Sequence, residues 1–208
     1  MKIYKDIKQN TKEWYNIRKL KFTASHASTI MAQGKGLKTL IRDMLAEYYS
    51  SGNYPEYEDK YKNSDIDRGN KFEDKARTIY ELETGNEVEQ IGFAELDEYP
   101  AGASPDALSG EDGLVEFKNH NDKVFTQLLI DGKIKPEYIN QMQMQMYVTG
   151  RKWCDYFAFN PNFTPCYFLK RFYPDLDAYE RIEQGIKTGM EMLNKQKEQL
   201  DKILEKGG

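Results

Sequence analysis

Cysteine and histidine are scarce in this chain of 208 residues, which contains two of each. One subunit therefore cannot build a disulfide scaffold, a four-thiolate zinc site or an iron–sulfur cluster. The four soft ligands, Cys154, Cys166, His26 and His120, also lack the paired spacing of a zinc motif. We expect any bound metal to lie on oxygen ligands, which favours Mg²⁺, or else Mn²⁺.

Long apolar runs are also missing. No stretch approaches the roughly 18 apolar residues of a membrane span, and residues 1–10 (MKIYKDIKQN) lack the apolar segment of a signal peptide. We therefore predict a cytoplasmic protein with no membrane partner. Hydrophobic residues make up 39% and charged residues 31%, which is enough for one core beneath a charged surface. The length favours a single domain over residues 1–208.

The chain has no excess of positive charge. Its net charge is -4 and its pI is near 5.4, which by itself argues against a nucleic-acid partner. Net charge averages over all faces, however, and 30 Lys and Arg residues can line one channel while acids cover the outside. The acidic balance therefore does not exclude DNA.

Hydrophobic periodicity predicts alternating blocks of helices and strands. Residues 50–65 are polar and aperiodic, which favours a surface loop. We predict a mixed α/β fold with a central mixed sheet flanked by helices, an N-terminal helical portion and a long C-terminal helix. Helices are expected at 10–21 (opening at Asn10), 23–31, 37–48, 67–84, 121–131, 136–149 and from 175 onward, and strands at 87–96, 101–108, 114–119, 153–160 and 166–172.

One short segment carries residues suited to catalysis. Pro105-Asp106 is followed, ten residues after the aspartate, by Glu116-Phe117-Lys118. Side chains alternate along a strand, so Glu116 and Lys118 share a face while Phe117 faces the other way. The turn at 109–113 returns this strand beside Asp106. Two carboxylates and one ammonium group are thus predicted to meet at the end of a sheet.

This group suits phosphodiester hydrolysis, which needs charge neutralisation and activated water. Asp106 and Glu116, with the Phe117 carbonyl, would hold a divalent ion, and Lys118 would orient water or stabilise developing negative charge. Taken alone the pattern is loose. An exposed turn aspartate beside an ordinary ion pair at a strand edge explains it equally well.

Four ordered blocks of residues favour the catalytic interpretation. Together they resemble the lambda-phage-type (YqaJ-like) recombination exonucleases of the PD-(D/E)xK superfamily, within the RecB-like nuclease group. The likeness extends from Trp14 to Asn160. The blocks are Trp14-Tyr15-Asn16-Ile17-Arg18 with Thr23-Ala24-Ser25; Gly69-Asn70-Lys71-Phe72-Glu73-Asp74-Lys75-Ala76-Arg77; Ser104-Pro105-Asp106-Ala107-Leu108 with Leu114-Val115-Glu116-Phe117-Lys118; and Tyr138-Ile139-Asn140-Gln141-Met142-Gln143 with Val148-Thr149-Gly150.

The resemblance implies roles for further residues. Glu73 matches the helix glutamate that approaches the metals, although the residue alone reads equally well as part of a solvated helix face. Arg18, Ser25 and Ser104 match residues that grip a terminal 5′ phosphate, for which a guanidinium and hydroxyls are suitable donors. Gln141 matches the active-site glutamine of the family.

The other glutamines nearby leave alternatives open. Gln143 and Tyr147 satisfy a Q-x-x-x-Y spacing known in the wider group, and Gln145 shares a helix face with Gln141 while Gln143 points away. We favour Gln141. The intervening methionines are expected in the core.

The resemblance also implies a restriction-endonuclease-like core and an overall activity. That activity is Mg²⁺-dependent hydrolysis of double-stranded DNA from its ends, 5′ to 3′, in phage-type homologous recombination by single-strand annealing and in DNA repair. It further implies a homotrimeric ring, a single-strand annealing protein as partner, and a bacterial or phage-encoded origin.

Three rival functions stay open. An endonuclease of the same fold, acting in repair or restriction, would share the catalytic group. The iron–sulfur branch of these nucleases is disfavoured by too few cysteines. A non-catalytic DNA-end-binding or phage structural module is disfavoured because every acid and Lys118 are retained.

His120 and four cations of one helix each allow a functional and a structural interpretation. His120 either contacts phosphate or has a structural role. The cations Arg68, Lys71, Lys75 and Arg77 either follow a DNA backbone or form a solvated face. Trp14 and Trp153 are assigned to packing.

Overall fold

The computed structural model of the protein describes residues 1–50 and 64–205, with side chains from residue 72 onward in the second range. Most of the loop predicted at 50–65 lies outside the described residues, as do the side chains of Arg68 and Lys71. Within the described ranges, no helix is long and apolar enough to cross a membrane.

Nine strands in the described part of the chain form two sheets. The four-stranded sheet has the order β1-β4-β5-β2, and the five-stranded sheet has the order β3-β6-β7-β8-β9. The strands are β1 (Lys2–Tyr4), β2 (Phe22–Thr23), β3 (Val88–Glu89), β4 (Phe93–Glu95), β5 (Ala101–Ala103), β6 (Ala107–Ser109), β7 (Gly113–Lys118), β8 (Trp153–Phe159) and β9 (Tyr167–Phe172).

Helices surround these sheets. They are α1 (Lys12–Arg18), α2 (Ala27–Ala32), α3 (Lys35–Tyr49), α4 (Ser64–Thr84), α5 (Asp122–Asp131), α6 (Pro136–Thr149) and α7 (Leu176–Leu204), with a 3-10 turn at Ala24–His26 before α2. The predicted mixed α/β architecture, including the long C-terminal helix, is confirmed.

The middle of the larger sheet is strand β7. It pairs antiparallel with β6 and parallel with β8, which in turn pairs antiparallel with β9. In this register Glu116 lies opposite Tyr156, and Lys118 lies opposite Ala158. Because β7 has a neighbour on each side, its backbone is fixed by two ladders. Side chains at its carboxyl end are therefore held by a rigid element.

The prediction of single strands at 87–96 and 101–108 was wrong, because each segment divides between the two sheets. The first breaks near Gly92, where an added Cβ would lie 2.0 Å from the carbonyl oxygen of Ile7. The second breaks at Pro105, which has no N–H to donate to a ladder. The second break leaves Asp106 between strands β5 and β6 rather than within a strand.

Two helix predictions near the N-terminus also need correction. Helix α1 begins after Thr11, not Asn10, because the Thr11 hydroxyl accepts a hydrogen bond from the backbone N–H of Trp14 and so caps the helix. Asn10 has a left-handed φ of 64° instead. The helix predicted at 23–31 begins later, because Thr23 ends strand β2 and a 3-10 turn precedes α2.

The remaining helices lie close to their predicted positions. Helix α6 has the predicted bounds, with Pro136 in its first turn and Gly150 at φ 64° after its end. Helix α4 ends before Gly85, which has φ 70°. The helical spacing of apolar residues therefore predicted the bounds of these helices well.

Strand β7 separates two apolar cores. The larger core joins α2, α3, α6 and α7 to the sheets, through side chains such as Phe22, Ile41 and Ile186. The smaller core contains Tyr80 of α4 with Phe117 and Phe157, whose rings meet edge to face at 5.4 to 5.9 Å. Since β7 is covered on both sides, its Glu116 is enclosed by protein and needs polar partners there.

Close contact between α7 and α2 leads to a stability prediction. A Cβ at Gly185 would lie 2.2 Å from the carbonyl oxygen of Ile30, so Gly185→Ala must separate the two helices. We expect a loss of about 1–3 kcal/mol in unfolding free energy, despite the better helix propensity of alanine. Chemical denaturation measures it. Gln184→Ala, at the exposed neighbouring position, should not destabilise, and equal stabilities of the two variants would contradict the prediction.

Candidate active site

Asp106 lies beside the carboxyl end of β7. It follows Pro105, and its Oδ2 accepts a hydrogen bond of 2.7 Å from the backbone N–H of Phe117. This bond ties the loop between β5 and β6 to the middle strand of the larger sheet. One carboxylate is thereby fixed next to the strand that carries Glu116 and Lys118.

The Glu116 carboxylate is almost completely buried, with 1% of its side chain exposed. It forms an ion pair with Lys118, whose ammonium group donates to Oε1. Two amides from α6 also donate to it: Gln141 Nε2 lies 2.8 Å from Oε1, and Gln145 Nε2 lies 2.6 Å from Oε2. Both carboxylate oxygens are therefore satisfied by protein donors.

The charges in this group alter one another's protonation. Burial, followed by the nearby negative charge of Glu116, raises the pKa of Asp106 well above its usual value. Burial alone would lower the pKa of Lys118, but Glu116 and Asp106 outweigh it and raise that pKa. Lys118 is consequently an ammonium ion here, able to donate hydrogen bonds but unable to take up a proton.

The chemistry of this group fits a hard divalent cation. Two carboxylates are close enough for one to raise the pKa of the other, and a cation between them would relieve that repulsion. The ligand atoms offered are oxygens, as Mg²⁺ prefers. Among the described residues, however, no three His, Cys, Asp or Glu side chains group together as a metal site. A metal site built on Asp106 and Glu116 would therefore need a further ligand.

Glu73 is placed near this pair but is directed elsewhere. It lies on α4, and its charge contributes to the raised pKa of Asp106. Its Oε1 accepts hydrogen bonds from Gln90 at 2.9 Å and Arg77 at 3.4 Å. The structure thus engages Glu73 Oε1 with Gln90 and Arg77 rather than with the Asp106–Glu116 pair.

Two of the three residues assigned to a 5′ phosphate lie together. The Arg18 guanidinium stacks on the Trp14 ring at 3.7 Å and donates to the Thr23 hydroxyl at 3.4 Å. That hydroxyl also contacts the Ser25 hydroxyl and His26 Nδ1, each at 3.1 Å. Arg18 and Ser25 therefore belong to one polar cluster at the 3-10 turn, which His26 joins.

Ser104 is linked to this cluster through Trp14. Its hydroxyl accepts from the Trp14 indole N–H at 2.9 Å and donates to the carbonyl oxygen of Gly92 at 2.8 Å. The hydroxyl hydrogen is thus already used. Donation to a phosphate would require the Ser104 hydroxyl to rotate away from Gly92.

Other candidates have structural partners. Gln143 bonds to the Tyr173 carbonyl and the Asp175 N–H, and Tyr147 packs on Tyr179, so neither faces the carboxylates. His120 Nε2 lies 2.6 Å from the Tyr156 hydroxyl.

The cations and tryptophans also have partners. Arg77 pairs with Glu73 and with Asp74, and the Lys75 ammonium lies 5.9 Å from the Phe72 ring. Trp14 is buried, and Trp153 lies under the Arg171 guanidinium at 3.6 Å.

Sequence analysis named Gln145 on the same helix face as Gln141 but favoured Gln141, and it gave no role to Tyr138. Gln145 contacts Glu116 as closely as Gln141 does, and its position four residues after Gln141 on one helix face was the available signal. The aromatic ring of Tyr138, 4.9 Å from the Lys118 ammonium, had no such signal, because a helix residue and a strand residue meet there only in the fold.

Comparisons with known proteins agree with the motifs. Residues 13–152 match the YqaJ-like viral recombinase domain. An alkaline exonuclease from Laribacter hongkongensis, solved alone and in complex with dAMP, has 30% sequence identity and a TM-score of 0.85, over 95% of this chain and 100% of the other.

A phage-related exonuclease from Haemophilus somnus 129PT has 13% identity and a TM-score of 0.64, over 89% of this chain and 98% of the other. This second likeness is one of fold. No curated protein matches the chain.

The raised pKa of Asp106 gives a pH prediction for the metal-free protein. In the unfolded chain this carboxyl ionises near its ordinary value, whereas in the folded protein it holds its proton to higher pH. The folded state therefore binds more protons, and its stability should fall as pH rises through the raised value. Asp106→Asn should reduce this fall and be more stable than wild type at alkaline pH.

Thermal unfolding in EDTA from about pH 5.5 to about pH 9 measures this effect. Asp131→Asn is the control, because a hydrogen bond from the Lys133 N–H lowers the pKa of Asp131, which is ionised in both states over that range. A wild-type slope in the Asp106→Asn protein would show that Asp106 is not the group responsible.

Proposed function

Because the chain belongs to the YqaJ-like viral recombinase family of recombination nucleases, we propose that it is a Mg²⁺-dependent exonuclease that degrades double-stranded DNA from its ends. The observation that carries the proposal is the group of Asp106, Glu116 and Lys118 at the carboxyl end of β7. The similar exonuclease from Laribacter hongkongensis has been solved with dAMP. A deoxynucleoside monophosphate is what stepwise cleavage of a DNA end releases.

Asp106 and Glu116, with the carbonyl oxygen of Phe117, would hold Mg²⁺ or Mn²⁺. Glu73, whose Oε1 contacts Gln90 and Arg77, would supply a further carboxylate ligand. Such an ion neutralises phosphate charge and lowers the pKa of bound water. The raised pKa of metal-free Asp106 supports this assignment, since a cation would relieve the repulsion from Glu116 that contributes to it.

Lys118 acts as a hydrogen-bond donor rather than a base. The two adjacent carboxylates keep it protonated, so its ammonium group orients the attacking water and stabilises negative charge on the phosphate. Gln141 fixes the Glu116 oxygen that Lys118 also contacts. We therefore assign Lys118 and Gln141 to catalysis together with the three acids.

Selection of DNA ends is assigned to the cluster of Arg18 and Ser25, with Ser104 reached through Trp14. A guanidinium and hydroxyl groups suit the dianionic phosphate found at a 5′ end. Binding that end favours degradation from 5′ to 3′. Internal phosphates carry one charge and would be held less tightly.

The family membership further supports a role beside a single-strand annealing protein in recombination and repair, and a homotrimeric ring. A ring would keep the enzyme on DNA by enclosing it. The net charge of -4 agrees with retention by enclosure rather than by strong electrostatic attraction. We place this work in the cytoplasm of a bacterial host.

Digestion of DNA with and without free ends tests the function. Linear duplex labelled at one 5′ or one 3′ end is incubated with Mg²⁺ or with EDTA, beside covalently closed circular DNA. We expect Mg²⁺-dependent loss of linear DNA from its 5′ ends and an intact circle. Cutting of the circle would instead indicate an endonuclease.

Removal of the ammonium group tests the catalytic assignment. Lys118→Ala should lower the cleavage rate by about 10²- to 10³-fold, as expected for loss of one donor to transition-state charge. Lys152→Ala is the matched control: it removes a lysine paired with Asp112 at the opposite end of β7 and β8 and should keep full activity. A non-catalytic end-binding protein is indicated if wild type leaves DNA intact while Lys118→Ala binds DNA equally well.

Replacement of the guanidinium tests end recognition. Arg18→Lys keeps the charge but removes the planar fork, so the preference for 5′-phosphorylated over 5′-hydroxyl ends should fall about 10- to 100-fold. The ratio of initial rates on the two substrates measures it. Arg181→Lys, at an exposed arginine of α7, should keep the wild-type ratio. An unchanged ratio in Arg18→Lys would remove Arg18 from the phosphate site.

A further inference from the structure

We propose that Gln145 is a positioning residue that prepares Glu116 to bind the divalent cation. This proposal rests on the function proposed above. Gln145, a second glutamine of α6, sets which oxygen of Glu116 faces the metal. The residue is buried inside the protein and reaches the cation only through the Glu116 carboxylate.

Gln145 has a hydrogen-bond partner at each end of its amide. Its Nε2 donates to Glu116 Oε2 at 2.6 Å, and its side chain has no exposed surface. On its other side, the thiol of Cys154 donates to Gln145 Oε1 at 3.9 Å. Burial raises the pKa of that thiol, so it keeps its hydrogen. The thiol thereby favours the amide orientation that turns the NH₂ group toward Glu116.

The remaining binding capacity of Glu116 follows from its donors. A carboxylate offers about two acceptor positions on each oxygen. Oε1 accepts hydrogen bonds from Lys118 and Gln141, and these two bonds occupy both of its acceptor positions. Oε2 receives Gln145, which leaves one. One acceptor position, on Oε2, is therefore left for a cation.

Loss of Gln145 should loosen this arrangement. Without its amide, Oε2 has two free positions, and the carboxylate can turn about the bond that joins it to the side chain. Residues that orient metal ligands in this way usually contribute about 10- to 100-fold to metal affinity. Gln145→Met removes the amide at nearly constant volume, in a helix that already buries Met142, Met144 and Met146.

The same helix supplies a matched control. Gln143 is also a buried glutamine, but its amide bonds to the Tyr173 carbonyl and the Asp175 N–H at the start of α7. Gln143→Met therefore removes a buried amide from the same element without touching Glu116. A purely structural role for Gln145 predicts equal consequences for the two substitutions.

The experiment measures metal binding as well as cleavage. Mn²⁺ is titrated into metal-free wild type, Gln145→Met, Gln145→Asn and Gln143→Met, and free Mn²⁺ is followed by electron paramagnetic resonance. The concentration of metal at half-maximal nuclease rate and the rate at saturating metal are then determined for each. Thermal unfolding reports the stability of every variant.

We expect both Gln145 variants to bind Mn²⁺ about 10- to 100-fold more weakly, with a matching rise in the half-maximal metal concentration and a smaller change in the saturating rate. Gln143→Met should bind as wild type does. Wild-type affinity in the Gln145 variants overturns the inference, as does equal weakening in Gln143→Met. Failure of the proposed function is a separate result: wild type itself would not cleave DNA with metal.

Discussion

The structure depends on satisfying one buried charge. Glu116 lies on a central strand with protein on both sides, where an unpaired carboxylate would be strongly destabilising. Three donors meet it: the ammonium group of Lys118 on the same strand face and the amides of Gln141 and Gln145 on α6. Packing of α6 over the sheet therefore supports the candidate active site as well as the core. Asp106 accepts a hydrogen bond from the backbone N–H of Phe117, so both carboxylates are positioned by strand β7.

Much of this could be predicted from the sequence. The strand period placed Glu116 and Lys118 on one face, and helical spacing gave the bounds of α6 and the end of α4. The resemblance to YqaJ-like proteins, which came from four motif blocks, is confirmed by the family match over residues 13–152. These successes share a cause, because each depends on residues close together in the chain. The functional roles of all the site residues stay predictions, namely those of Asp106, Glu116, Lys118, Gln141, Glu73, Arg18, Ser25 and Ser104.

The remainder depends on contacts distant in sequence. The segments at 87–96 and 101–108 alternate like single strands, and only the close approach of Ile7 to Gly92, together with Pro105, divides them between two sheets. Likewise, Ser104 looks like a free hydroxyl in a motif, but the fold engages it with Trp14 and Gly92. Periodicity describes one element at a time, so it could not anticipate partners supplied by another.

The double amide contact also explains why a glutamate, and not an aspartate, stands at position 116. The shorter side chain would withdraw the carboxylate by about 1.5 Å, one carbon–carbon bond, and both amide contacts of 2.6 and 2.8 Å would break. Such a change becomes tolerable only if the helix residues facing it change as well. Positions 116, 141 and 145 are thus coupled by direct hydrogen bonds, so a change of side-chain length at position 116 alters the contacts of both amides.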